Sequence, residues 1–145
     1  MTEVSTAISA EPLDVGAAIG AAGTPSSGAV GVFVGTVRST PSTEGDDVRS
    51  VIRLEYEAHP DLAEQTLRDL ARAATTKWEL DRVVAIHRIG TCEIGEPTVV
   101  IACSATHRAE ALDACRWLID EIKTTVPIWK REVYADGSSW VGSTP

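Results

Sequence analysis

The stretch that most constrains the fold runs from Ala105 to Glu132 and reads ATHRAEALDACRWLIDEIKTTVPIWKRE. Leu112, Cys115, Ile119 and Ile122 recur at helical spacing, and Ala111, Ala114 and Leu118 widen the stripe. That is the pattern of an amphipathic helix with one face in a core. Asp113, Arg116, Asp120 and Lys123 follow one another at three- and four-residue steps and share the polar face. Thr124, Thr125 and then Pro127 end the helix, because the residue ahead of a proline avoids the α region. Ile128 to Tyr134 reads as a strand in which Trp129, Arg131 and Val133 face away from Ile128, Lys130 and Glu132. Lys123 at the helix end and Lys130 on the strand are thus separated by a rigid turn, and can meet in space without sharing a helix.

The rest of the chain alternates strands and helices. Val4 to Ser9 reads as a first strand, and Asp14 as the N-cap of a helix over Val15 to Ala22. Ala29 to Arg38 is β-rich and apolar on both faces, the mark of an interior strand. Gly31 and Gly35 within it predict a bulge or a close backbone approach. A polar loop, STPSTEGDD, follows Arg38. Arg49 to Glu57 alternates, with Ile52, Leu54 and Tyr56 on one side and Arg53, Glu55 and Glu57 on the other. Pro60 and Asp61 open a second helix with Ala63, Leu67, Leu70 and Ala74 on its inner face and Trp78 near its end. Arg82 to Ile89 and Pro97 to Ser104 read as two strands joined through GTCEIGE, a hairpin connection. The order β-α-β-β-α-β-β-α-β contains hairpins, which demand antiparallel pairs, so the fold class is α+β with a mixed or antiparallel sheet. The whole chain, 1–145, reads as one domain, least distinctive over the first 28 residues or so.

Several function classes are excluded or disfavoured by composition. A formal net charge of −8 argues against a nucleic-acid partner. No apolar run approaches the ~20 residues of a membrane helix. No charged segment with a following apolar stretch opens the chain, and Cys92, Cys103 and Cys115 form neither a CxxC pair nor a disulfide framework. Both features predict a cytoplasmic protein. Three histidines without HExxH-type spacing argue against a built-in metal site. Between Ala105 and Glu132 basic and acidic residues balance, five against five, so the remainder carries the full −8. A local concentration of cations in an acidic protein is a feature of a small-anion site.

The candidates for such a site sit at element ends. Arg38 closes a strand ahead of a loop. His107 and Arg108 begin the long helix, where free N–H groups favour an anion and cations are the less favoured side chains. Lys123 in a last helical turn also has a plain structural reading, stabilisation by the helix dipole and pairing with Asp120. Lys130 and Arg131 have one too, as charged blockers of a strand edge. His87 and Arg88 read as satisfied structural groups, and the three cysteines as core residues. Taken together, an arginine, a His-Arg pair and two lysines outline one anion pocket with a lysine acid/base.

These same residues carry a family resemblance. GVFVGTVRS (31–39), LEYEAHP (54–60), AIHRIG (85–90), SATHRAEA (104–111) and IKTTVPIWKRE (122–132) resemble, in order and spacing, the catalytic large subunit of molybdopterin synthase. The resemblance spans about Ala29 to Trp140, and the sequence departs from it in the loop after Arg38, where the family often carries a more basic, Asn-containing segment. It implies a hammerhead-type α+β fold and a homodimer flanked by two small ubiquitin-like sulfur-carrier subunits. Each carrier would present a C-terminal Gly-Gly thiocarboxylate to a pocket of this subunit. The implied substrate is cyclic pyranopterin monophosphate, and the product is the dithiolene of molybdopterin. By matching positions, Lys123 and Lys130 would be catalytic; Arg38, His107 and Arg108 would bind the substrate's anionic groups, Phe33 would wall the pocket, and Arg131 would adjoin it. No metal and no tightly bound organic cofactor is implied. A thiocarboxylate sulfur is already a nucleophile, so the protein's task would be proton transfer and charge stabilisation. A non-catalytic module binding a small phosphorylated ligand, and a scaffold for a carrier tail, use many of the same residues. Lysine-to-arginine substitution separates them from catalysis, since binding tolerates it better than proton transfer does.

Overall fold

The computed structural model describes residues 2–42 and 47–143. The elements run β1 (Glu3–Ser9), α1 (Val15–Ala22), β2 (Ala29–Thr36), β3 (Val51–Ala58), α2 (Pro60–Lys77), β4 (Arg82–Arg88), β5 (Gly90–Glu93), β6 (Pro97–Ala105), α3 (Arg108–Thr125), β7 (Ile128–Tyr134) and β8 (Ser139–Ser143). They build two four-stranded sheets of an α+β fold. The first has the order β1-β4-β6-β2, with β1 parallel to β4 and the other pairs antiparallel. The second, β5-β3-β7-β8, is antiparallel throughout. Among the described residues no helix is long and apolar enough to cross a membrane.

The α1 helix starts where its cap places it: the Asp14 carboxylate accepts from the Ala17 N–H at 2.9 Å. Pro60 occupies the first turn of α2, whose buried face is Ala63, Leu67, Ala71 and Ala74. That helix and α3 cover one face of the first sheet, with Trp78 and Trp117 edge to face at 6.0 Å. The small helix α1 covers the other face through Ala18 and Ala22.

Four expectations change. The second strand, read as interior, lies at the edge of its sheet, with Val30 and Val32 partly exposed. Its apolar residues mark two covered faces, α3 on one and α1 on the other; they carry no information about lateral position. Ile52 points outward and Val51 inward, because a register shift between Val51 and Arg53 offsets the alternation. Leu112 is 55% exposed. The buried stripe is Ala111, Ala114, Cys115, Leu118, Ile119 and Ile122, and a helical step of ~100° swings Leu112 away from it. Finally, GTCEIGE is more than a hairpin link. Its first four residues form β5 in the second sheet, and Gly90 (φ 91°) and Gly95 (φ 84°) turn the chain out of the first sheet and back.

Both glycine expectations for the second strand are met. A Cβ on Gly31 would lie 2.6 Å from the Ala111 carbonyl oxygen, so α3 rides directly on the strand backbone there. The β2–β6 register shifts between Gly35 and Thr36, a bulge that redirects the chain just ahead of Arg38.

Candidate functional site

Where β2 ends, α3 ends and β7 begins, a cavity of about 250 Å³ opens between the two sheets. Each wall follows from local structure. The bulge at Gly35 leads out of β2 and brings Phe33 and Arg38 to one side. The last turn of α3, closed by the Val126 N–H on the Ile122 carbonyl, presents Lys123. After Pro127 comes β7, which turns Lys130 and Glu132 to the cavity and Trp129 and Arg131 to the opposite face of the sheet. Across the second sheet Lys130 is paired with Tyr56, which lines the cavity together with Leu54. Gly35 is part of the wall as well: a Cβ there would come within 2.9 Å of Val99.

Three cations, Arg38, Lys123 and Lys130, therefore surround one buried carboxylate, Glu132, which is 2% exposed. Glu132 is held by the Ser42 amide at 3.0 and 3.1 Å, by the Ser42 hydroxyl, and by the Tyr134 hydroxyl at 2.9 Å. Burial by itself would raise its pKa, but these donors and Lys130 hold the carboxyl below its ordinary value. Lys130 Nζ donates to the Ser42 hydroxyl at 2.9 Å and lies 3.8 Å from Glu132. Its pKa is lowered, chiefly by burial and further by Arg38 and Lys123, against the opposing pull of Glu132. Burial pushes Tyr56 up to about 12, so it faces the cavity as a neutral phenol. An amine with a weakened hold on its proton, beside two further cations, suits proton transfer near a bound anion.

The cavity gathers Phe33, Arg38, Lys123 and Lys130 from the sequence-derived set. It does not gather His107, Arg108 or Arg131. His107 occupies the N-cap position of α3 without a side-chain capping bond and Arg108 opens the helix, and fifteen residues of helix put Arg108 about 22 Å from Lys123 along the axis. Arg131 faces away from Lys130, bonding Ser139 at 3.2 Å and approaching Glu55 at 3.8 Å. Two contributors carried less signal in the sequence. Glu132 shares a strand face with Lys130 and was legible as a neighbour; Ser42 sits in an irregular polar loop that gives no spacing to read. The part of that loop at 43–46, where the sequence departs from the family pattern, lies outside the described residues.

His87 and Arg88 are only partly satisfied: His87 Nδ1 donates to the Arg88 carbonyl and Arg88 pairs with Glu96 at 3.1 Å, while His87 Nε2 and Arg88 Nε are buried without a partner among the described residues. Cys92, Cys103 and Cys115 are buried free thiols in the core. A cleft of about 350 Å³ near Asp81 and Arg82 is larger, but Arg82 is bound to Glu3 and Asp81 to Ser27. Among the described residues no group of three or more His, Cys, Asp or Glu is placed to hold a metal ion.

Comparison with known proteins agrees with this architecture. Residues 8–125 match the family described as MoaE protein. The molybdopterin synthase catalytic subunit of Arabidopsis thaliana is 42% identical over 116 residues, which are 80% of this chain and 56% of that protein. The chain thus spans little more than half the length of that relative. The molybdopterin synthase catalytic subunit of Halalkalibacterium halodurans is 40% identical over 98% of this chain and 88% of its own length. Among solved structures, molybdopterin synthase from Staphylococcus aureus superposes with a TM-score of 0.84 at 33% identity, covering 94% of this chain and 96% of that one. A match over most of the sequence and a shared arrangement of both sheets place the chain in the MoaE protein family.

Proposed function

We propose that this chain is the catalytic subunit of a molybdopterin synthase. It transfers sulfur from the thiocarboxylated C-terminus of a small ubiquitin-like carrier to cyclic pyranopterin monophosphate, forming the dithiolene of molybdopterin. The observation that carries the proposal is the cavity in which Arg38, Lys123 and Lys130 converge beside Phe33. Arg38 binds an anionic group of the substrate, Phe33 walls the pterin, and Lys123 and Lys130 move protons at the carbon that the sulfur attacks. The lowered proton affinity of Lys130 supports a base at that position. We place the reaction in the cytoplasm, in keeping with three unpaired thiols.

His107 and Arg108 enter the same scheme through a homodimer. Too far along α3 to serve Lys123 of their own chain, they are assigned to the anion site of the second copy, and Arg131 to the rim outside the cavity. Reconstitution tests the whole reading: the protein is mixed with a thiocarboxylated carrier and the pyranopterin, and dithiolene product is sought. Carrier binding without any product would leave only a scaffold for the carrier tail.

A further inference from the structure

The ion pair between Lys130 and Glu132 is long, beyond hydrogen-bond distance, and one residue stands beside it. Lys130 Nζ is 3.8 Å from the nearer Glu132 oxygen but 2.9 Å from Ser42 Oγ. The Ser42 hydroxyl carries a single proton and donates it to Glu132 Oε2, so a lone pair is left to accept from the amine. The Ser42 amide independently donates to both oxygens of the same carboxylate. The backbone therefore anchors the loop, and the side chain is left with a separate task.

We propose that Ser42 is a positioning residue for Lys130, its hydroxyl set between amine and carboxylate so that their ion pair stays long and does not close to hydrogen-bond distance. This deepens the sulfur-transfer reading and rests on it in taking Lys130 as a proton-transfer group. The charges around the amine fix what the wedge does. On its own strand stand Glu132 and the neutral Tyr134 phenol; from β3 comes Tyr56; Arg38 and Lys123 complete the ring. Glu55, Glu57 and Arg131 lie on the opposite face of the sheet by register. Glu132 is thus the single carboxylate on the cavity side among these groups. Closure to hydrogen-bond distance would tighten the lysine's hold on its proton; the present 3.8 Å separation, with a neutral acceptor between, leaves burial and the two other cations to prevail. The amine then stays directed to the cavity and able to lose its proton.

Ser42→Ala removes the hydroxyl and keeps the anchoring amide, and Ser42→Thr keeps both. Two readouts are taken on full-length protein: dithiolene formation with carrier and pyranopterin, and NMR titration of the Lys130 side-chain nitrogen without substrate. In Ser42→Ala the Lys130 titration is expected to move upward by about one pH unit. The turnover number should fall roughly tenfold, with KM changed less than about twofold. Ser42→Thr should restore both; Ser42→Ala, which takes one donor from the buried Glu132, should melt somewhat lower while still folding through the retained amide bonds. A Lys130 titration that stays in place or moves downward in Ser42→Ala overturns the proposal. If wild-type protein forms no dithiolene, the catalytic reading fails on its own, and the substrate-free titration still decides what Ser42 does.

Discussion

Arg38, Lys123 and Lys130 differ in how they are held, and the differences set what each substitution should do. Arg38 is exposed at the cavity mouth and belongs to no core contact, so Arg38→Ala should leave the fold intact. Losing one charge-assisted contact to substrate should weaken its binding by roughly 1.5–3 kcal/mol, read from titration with the pyranopterin. Lys123 is also exposed, in the last turn of α3, where a surface substitution shifts stability by within about 0.5 kcal/mol. Lys123→Ala should keep its melting temperature and carrier binding while dithiolene formation drops ~10²–10⁴-fold, the usual worth of a general acid or base. Lys123→Arg should fail almost as badly, because guanidinium keeps the charge but cannot act as a base. Near-normal turnover in the arginine variant would reduce the lysine to a positive charge. At this scale the sequence was informative wherever a residue closed an element: the proline-terminated helix and the alternating strand put both lysines on one cavity. It was silent about Ser42, whose position depends on a loop fold, and it could not separate His107 and Arg108 from the pocket, because charge and element-end position say nothing about distance.

Among the elements, α3 shows most directly how packing is written into single residues. Its first turns lie on β2 so closely that Gly31 leaves no room for a side chain: an added Cβ would meet the Ala111 carbonyl carbon at 2.8 Å as well as its oxygen. Both are backbone atoms, so neither can swing aside. Cys115 is bound into the same seam, its Sγ donating to the Gly31 carbonyl at 3.1 Å. Gly31→Ala should therefore push helix and strand apart at an overpacking cost of about 1–3 kcal/mol. Chemical denaturation measures it, and an unchanged midpoint would mean that the seam yields easily. The strand's two glycines announced a bulge or a close approach, and one of each is there. Its edge position was not announced, because covered faces look alike in a sequence whether a strand has one neighbour or two. The brief strands β5 and β8 escaped notice for a related reason: four or five residues with glycines beside them read as turns until a partner strand is known.

For the whole molecule, the buried His87 links stability to pH. Burial outweighs its bond to the Arg88 carbonyl and lowers its pKa to about 4, so the native state keeps the ring neutral. Between about pH 6.5 and 4 the unfolded chain binds the proton more readily than the native chain, and stability falls as pH falls through that window. The loss should reach about 3 kcal/mol. His87→Asn should be less stable at pH 7 yet lose less between pH 7 and 4 in denaturant titrations. The dimer assignment is open to a sharper test. Lys123→Ala and Arg108→Ala subunits are mixed and allowed to exchange, then assayed at a substrate concentration low enough that neither protein alone turns over appreciably. If Arg108 serves the cavity of its partner, each mixed dimer regains one intact site, and random pairing should return roughly a quarter of wild-type activity. No recovery in dimers shown by sedimentation to have exchanged would return Arg108 to its own chain.

The pairing of Glu3 with Arg82 and of Val51 with Tyr134 also governs what a nascent chain can do. With synthesis running at ~5–20 residues per second, β1 and β2 leave the ribosome seconds before β4 and β6, the strands that join them. By the same order β3 can pair with β5 before β7 follows, and α2, which packs on the already synthesised β1, gains its second neighbour only when α3 arrives. The last of these strands to emerge brings Lys130 and Glu132 with it. The cavity is thus completed after the scaffold around it, and a chain stalled before Pro127 would hold all four strands of the first sheet and no closed cavity.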